Sequence, residues 1–381
     1  MNPVMGGPPQ GIRNSIPELE KLGVINHVIC NDDPKAEFLK EINFKVFPMG
    51  VPKGPWRFNS KLREWLKSNI ENYDVVIVHG LWLHHEFAAF KEWKKLKAEK
   101  GIKTKLYLMP HGMLDPYFQK SNERQLKALR NEIYWKLIEK NIVNNCSGIL
   151  FTCQEELLLA RTTFRGYKPE KELNVGYGIP EPPAYSNKMA QSFKAHVPLW
   201  DGKPFLLFLS RIHSKKGLDN LIKSYLKIEA SRDDLPQLLI AGPGHDTVYG
   251  KDILKLASKS KNIIFTGMLS GKIKWGAFHL CETFVLPSHQ ENFGISIVEA
   301  LACKKPVLIS NKVNIWREIE KGHAGLVCEN NEQGTEKILS NWFDLKDRGR
   351  MAESALNVYK DNFSIEIAAR KLHEKLSQID S

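Results

Sequence analysis

Cysteine is sparse in this chain, and what there is does not cluster. The six residues (Cys30, Cys146, Cys153, Cys281, Cys303 and Cys328) form no Cys-x-x-Cys pair, which argues against a zinc site and fits reduced cytosolic thiols. No apolar run is long enough to span a bilayer, and no signal-peptide pattern opens the chain. Solenoid-period repeats and low-complexity tracts are also missing. What remains is an ordinary globular composition over 381 residues, enough for two domains. The net charge of +12 favours anionic partners: a nucleotide, a membrane surface or a nucleic acid. No recognition motif supports nucleic acid, and none is expected as a partner.

The most informative stretch is Phe284 to Ser310, FVLPSHQENFGISIVEALACKKPVLIS. Phe284-Val285-Leu286 reads as a buried strand stopped by Pro287. Apolar residues from Phe293 onward (Ile295, Val298, Leu301, Ala302) recur at helical spacing, and Pro306 ends that pattern before the strand Val307-Leu308-Ile309. A strand, loop, helix and strand in this order imply a parallel sheet. Glu291 lies in the loop and Glu299 about two helical turns on. Between them Asn292, Phe293, Gly294 and Ile295 would offer backbone N–H groups at a helix N-terminus, a ready phosphate site. A carboxylate on each side suits a ligand with a phosphate centre and flanking hydroxyls, such as a nucleotide sugar.

A second cluster follows the strand Phe205 to Leu209. Ser210-Arg211 is followed by His213, Lys215, Lys216 and Gly217, and a helix opens near Leu218. Arg supplies a bidentate fork and Lys a mobile point charge, the pair that a diphosphate requires. The strands Gln237 to Ala241 and Ile263 to Phe265 end in Gly242-Pro243-Gly244 and Thr266-Gly267-Met268-Leu269.

In the first half, Val24 to Ile29 and Lys45 to Pro48 read as strands. Tyr73 to His79 reads as a strand buried on both faces, and Leu106 to Met109 as another. His79 and His111-Gly112 follow such strands directly, where open α/β sheets bind ligands. His79 is open to a site role or a structural one. Asp115 lies close by. Phe87 to Lys105 reads as a helix dense in lysine, either a solvated face or a rest on anionic lipid. Gln125 to Asn141 is an amphipathic helix with Leu126, Leu129, Ile133, Leu137 and Ile138 on its apolar stripe. Near the start, Gly6-Gly7 and two prolines read as a loop, with helical periodicity from Ile12 to Leu22. Glycine and proline in GYGIPEPP, Gly176 to Pro183, mark a linker. The expected divisions are residues 1–180, 181–360 and a terminal helix in 361–381.

SHQENFGISIVEALACKKPVLIS resembles the E-x7-E signature of family-4 glycosyltransferases, and the resemblance extends over nearly the whole chain. It implies an α/β GT-B fold, two Rossmann-like domains facing a cleft, with the last helix crossing back to the first domain. It implies a retaining enzyme that takes a hexose-type sugar from a nucleotide diphosphate sugar, a UDP-sugar ahead of a GDP-sugar. The acceptor would be a hydroxyl of a glycan or lipid-linked molecule. By the same resemblance Glu291 binds donor-sugar hydroxyls, Glu299 the ribose, and Arg211 and Lys216 (the R-x4-K pattern) the diphosphate. Gly6 and Gly7 would lie near the phosphates, His111 would hydrogen-bond the transferred sugar, and Gly242 with Gly267, Met268 and Leu269 would line the nucleobase.

No cofactor or metal is expected, in keeping with the missing Asp-x-Asp motif. PHGMLDP resembles enzymes of bacterial extracellular polysaccharide and cell-envelope synthesis, which points to a cytoplasmic protein that can rest on the inner membrane face. The first residues depart from the family: Met1 to Met5 hold no convincing strand. The expectation is a chain that begins late, its first N-terminal strand missing and a slot left in the sheet. A phosphorolytic GT-B enzyme and a nucleotide-binding protein with impaired catalysis stand as alternatives.

Overall fold

The computed structural model describes residues 1–2, 6–121, 124–232 and 234–378. The chain forms two units, Met1–Gly178 with Ala368–Ser381, and Ile179–Ile367. Residues 3–5 of the opening segment lie outside the described residues.

Unit 1 carries strands β1 (His27–Cys30), β2 (Lys45–Pro48), β3 (Val75–His79), β4 (Lys105–Met109), β5 (Gly148–Phe151) and β6 (Glu172–Asn174). β1 pairs with β2, and β3 to β6 form a separate parallel sheet in sequence order. Among the described residues no ladder joins β1 to β3. This explains a departure from expectation. Among the described strands β3 ends its sheet, and only Val78 in it is buried, whereas the sequence predicts burial on both faces. Its neighbours β4 and β5 are covered by the main core of Leu66, Phe90, Trp93, Leu108, Trp135 and Ile149. The opposite face holds Tyr107, Met109, Leu150 and Val175, with Leu372 and Leu376 of the terminal helix Ile365–Ser377 against them.

Three helical boundaries differ from the reading of the sequence. The first helix runs Gly7–Lys21, so Gly7 is helical and only Gly6, at φ 82°, has the unusual backbone. Pro8 and Pro9 are its next residues, where a missing N–H costs nothing. The lysine-rich helix is His84–Lys100, closed by Gly101 in the left-handed conformation, and Lys105 opens β4 instead. The helix Gln125–Tyr134 continues through a π-turn, Trp135–Glu139, into Lys140–Asn145.

Unit 2 is a six-stranded parallel sheet in the order β12-β11-β10-β7-β8-β9. These are β7 (Leu206–Leu209), β8 (Leu238–Ala241), β9 (Ile263–Gly267), β10 (Thr283–Leu286), β11 (Val307–Ser310) and β12 (Gly325–Cys328). β8, β10 and β11 are buried throughout, as continuous Val, Ile, Leu and Phe runs require when helices cover both faces. Each such side chain contributes about 1.5–3 kcal/mol on burial. The sheet winds outward in both directions from β7 and β10, which are neighbours through Thr283↔Leu206 and Phe284↔Leu207. That reversal opens a crevice at their carboxyl ends, where sheets of this kind take ligands.

Candidate functional site

The residues after β7 and β10 meet at that crevice. A 3-10 turn, Ser214–Lys216, starts from His213, whose Nδ1 accepts the Lys215 N–H at 3.1 Å. Gly217 follows at φ 65°, and a Cβ there would stand 2.0 Å from the Pro287 carbonyl oxygen. Only glycine lets the two segments approach so closely. The His289 N–H donates to the Lys215 carbonyl at 2.7 Å, and Lys215 Nζ donates to Gln290 Oε1 at 2.7 Å. Lys216 forms an ion pair with Glu291. Two candidates from distant parts of the sequence are thus in direct contact, and Arg211 stands exposed at the head of the same segment.

The Glu291 loop is fixed from behind. Its N–H donates to Lys312 and its carbonyl accepts from Asn314, and Asn314 Nδ2 donates to Asn292 Oδ1 at 3.2 Å. Phe293 is buried, edge-on to Phe363 at 5.6 Å, so it anchors the loop through its side chain. Gly294, at φ 75°, is the N-cap, and the helix starts at Ile295 and runs to Ala302.

Glu299 lies on this helix and pairs with Lys274 Nζ at 2.7 Å. Burial pushes the Glu299 carboxyl above its usual range, while Lys274 pulls it down. Lys274 belongs to the helix Gly271–Leu280, directly after the third candidate loop. Gly242 donates its N–H to Gly267 O at 2.9 Å, so the ends of β8 and β9 are joined. A Cβ on Gly242 would sit 1.9 Å from Ser210 O, which brings the β7 end into the same edge. Met268 is exposed and Leu269 is buried.

Unit 1 has its own cluster beyond β3 and β4. His79 Nδ1 lies 2.9 Å from His111 Nε2, with the rings stacked. Burial lowers both: His79 falls to about 4, further depressed by His85, and His111 falls well below the ordinary imidazole value, with His79 adding to the effect. The lowered values favour the neutral form of both rings, one nitrogen donating and the other accepting in this bond. His111 holds φ 52°, a strained value for a side-chain-bearing residue. The adjoining Gly112 N–H donates to Glu156, whose other oxygen accepts from Thr152 N at 2.8 Å. Tyr177 approaches His111 edge-on at 6.2 Å and donates its hydroxyl to Gly7 O at 2.6 Å. Gly11 admits that ring, since a Cβ would meet the Tyr177 hydroxyl at 1.9 Å. Gly7 is thereby brought toward His111. Asp115 is buried, and its carboxylate accepts from Tyr117 N at 2.8 Å.

Beneath these turns lies a pair of buried acids that the sequence reading missed. Glu86 and Glu139 both accept from the N–H of Trp82, at 3.0 and 3.4 Å, and Trp82 holds φ 74°. Burial raises both carboxyls, Glu139 to about 7, and Glu139 raises Glu86 further. Among the described residues Glu86 Oε1 and Glu139 Oε2 are buried without a hydrogen-bond partner. Glu139 had a sequence signal: it falls four residues after Trp135 and three before Ile142, on the buried side of its helix. Lys274 and Tyr177 had none, because their partners are far away in sequence.

Residues 191–358 match the family described as glycosyl transferases group 1, and residues 5–171 match Glycosyltransferase Family 4. An uncharacterized glycosyltransferase of Methanocaldococcus jannaschii is 24% identical over 311 residues, 76% of each chain. The N-acetyl-alpha-D-glucosaminyl L-malate synthase of Bacillus anthracis is 22% identical, over 68% of this chain and 62% of that one. Among solved structures, a glycosyltransferase of Rickettsia africae superposes with a TM-score of 0.72 at 19% identity, covering 98% of this chain and 96% of that one. Anabaena HepE, in complex with UDP and glucose, gives 0.69 at 15% identity over 98% and 97%.

Proposed function

Because this chain belongs to the family-4 glycosyltransferases of the GT-B fold, we propose that it moves a hexose-type sugar from a nucleotide diphosphate sugar to a hydroxyl of a glycan or lipid-linked acceptor in cell-envelope or exopolysaccharide synthesis. The observation that carries this reading is the Lys216–Glu291 ion pair at the β7/β10 reversal, with Arg211 exposed just after the end of β7. Lys216 and Arg211 would take the diphosphate, with the N–H groups before and within the Ile295–Ala302 helix adding partial positive charge. Glu291 would accept hydroxyls of the sugar and Glu299 those of the ribose. UDP is the favoured nucleotide; the complexes of Anabaena HepE with UDP and UDP-glucose support that choice.

The transfer we infer is retaining. The anomeric C–O bond to the diphosphate breaks as the acceptor oxygen bonds to the same face, and the acceptor proton passes to the departing phosphate oxygen. Charge growing on that phosphate is met by Arg211 and Lys216, so no metal is called for. The role of His111, a hydrogen bond to a hydroxyl of the transferred sugar, rests on the family resemblance.

Release of nucleoside diphosphate from UDP-, GDP- and ADP-sugars tests the proposal. Lys216→Ala and Glu291→Gln should each lower turnover by about 10²–10³-fold, as loss of a single transition-state donor does. Near wild-type turnover in either variant would refute the assignment.

A further inference from the structure

The helix Gln125–Tyr134 and the π-turn after it are inverted relative to an ordinary surface helix. Their aliphatic residues face water: Leu126 is 85% exposed, Leu129 60%, Ile133 51% and Leu137 75%. The inward positions are Asn131, Trp135 and Glu139. Spacings of three, four and four put the exposed residues on one stripe. A soluble surface rarely carries such a contiguous apolar strip without a partner for it.

Cations border the stripe. Lys127, Arg130, Lys136 and Lys140 are exposed on the same turns. A groove links the stripe to the neighbouring helix His84–Lys100 and is lined by Phe87, Phe90, Lys94, Lys95, Leu137 and Ile138. Lys91 and Lys94 lie over the rings of Phe87 and Phe90, each 5.7 Å from the centroid. The acids nearby are already matched, Glu132 with Lys136 at 3.4 Å and Glu99 with Lys95 at 3.9 Å. Lys127, Arg130 and Lys140 form no ion pair among the described residues, and exposed aliphatics framed by such cations are the pattern of a helix lying in the plane of an anionic bilayer, with apolar side chains among the acyl chains and cations at the headgroups.

We propose that unit 1 docks on an anionic lipid bilayer through Leu126, Leu129, Ile133 and Leu137, with Lys127, Arg130 and the lysines of the adjacent helix held at the headgroups. A second copy of the chain or a protein groove would not explain the frame of cations; a negatively charged surface does. The lysine-rich helix alone has no exposed apolar stripe and would give only a salt-sensitive contact. The docking is independent of the transfer chemistry and is tested without it.

The test is flotation of the full chain with vesicles of phosphatidylglycerol and phosphatidylcholine in equal parts, against vesicles of phosphatidylcholine alone. The expected result is binding to the anionic vesicles only. Leu129→Ser with Ile133→Ser, and separately Lys127→Glu with Arg130→Glu, should each weaken that binding at least about tenfold. The unit-2 control Lys251→Glu with Lys255→Glu should bind as the wild type does. All these side chains are exposed, so thermal midpoints should be kept, and the charge pair still tests the surface if the aliphatic pair impairs folding. Three results would overturn the proposal: no binding of the wild type to anionic vesicles, undiminished binding by the charge-reversed variant, or a loss of self-association in both variants in place of a loss of vesicle binding.

Discussion

Lys274 Nζ lies 2.7 Å from Glu299 Oε1 and supplies the cation for a carboxylate held largely out of water. The contact ties the loop Gly267–Leu269, through the helix that follows it, to the helix carrying Glu299. Lys274→Met should leave Glu299 protonated to higher pH, because burial then acts on it unopposed. We expect a donor KM raised about tenfold or more with a nearly unchanged kcat, the signature of lost ground-state binding. Stability should fall by roughly 1–3 kcal/mol. An unchanged KM across pH would show that the pair is structural only.

The His79–His111 bond makes a prediction of a different kind. Both rings are partly buried, and that desolvation lowers both below the ordinary imidazole value of about 6.5, so long-range ¹H–¹⁵N spectra at about pH 6 should show neutral tautomers for both. His79→Ala removes the neighbouring ring and admits water, and the acid limb of the kcat profile should move up toward that ordinary value. His79→Asn, which keeps a hydrogen-bonding group, should restore the profile. A ring titrating near 6.5 in the wild type would contradict this account.

The Glu86–Glu139 pair should make stability fall as pH rises. A carboxyl raised from 4.5 to about 7 by burial binds more protons in the folded than in the unfolded state. Its stabilising contribution is complete below the unfolded value and is lost as pH passes through about 7. Relative to Glu139→Gln, the wild type should lose on the order of 3 kcal/mol between about pH 5 and pH 8. Parallel denaturation midpoints in the two proteins over that range would rule the effect out. The buried histidines act in the opposite sense at lower pH, and for this reason the comparison is with the variant.

The inner strands of unit 2 are readable from the sequence because β8, β10 and β11 are buried throughout and appear as apolar runs, β8 ended by Gly242 and β10 by Pro287. Arg211, Lys216 and Glu291 could be named from their places at strand ends, but the Lys216–Glu291 contact comes only from the adjacency of β7 and β10. Unit 1 was less readable. YDVVIVH is apolar enough for a central strand, yet β3 ends its sheet among the described strands, since periodicity reports hydrophobicity and not which neighbours are present. Gly6-Gly7 and two prolines read as a loop, although a helix accepts Gly followed by two prolines in its first turn. The Leu126–Leu137 stripe shows the converse limit. Helical spacing identifies an apolar face without saying whether a core covers it, and here the π-turn directs Trp135 and Glu139 inward instead.

The most direct test of the central claim, that the β7/β10 crevice holds a nucleoside diphosphate, is the thermal midpoint of the wild type and of Lys216→Ala with UDP, GDP and ADP. A ligand at about 100-fold its Kd adds about 2.7 kcal/mol, a rise of several degrees. The account predicts that rise for one nucleotide, UDP ahead of the others, in the wild type and its loss in Lys216→Ala. No rise with any of the three, or an equal rise in the variant, would contradict it.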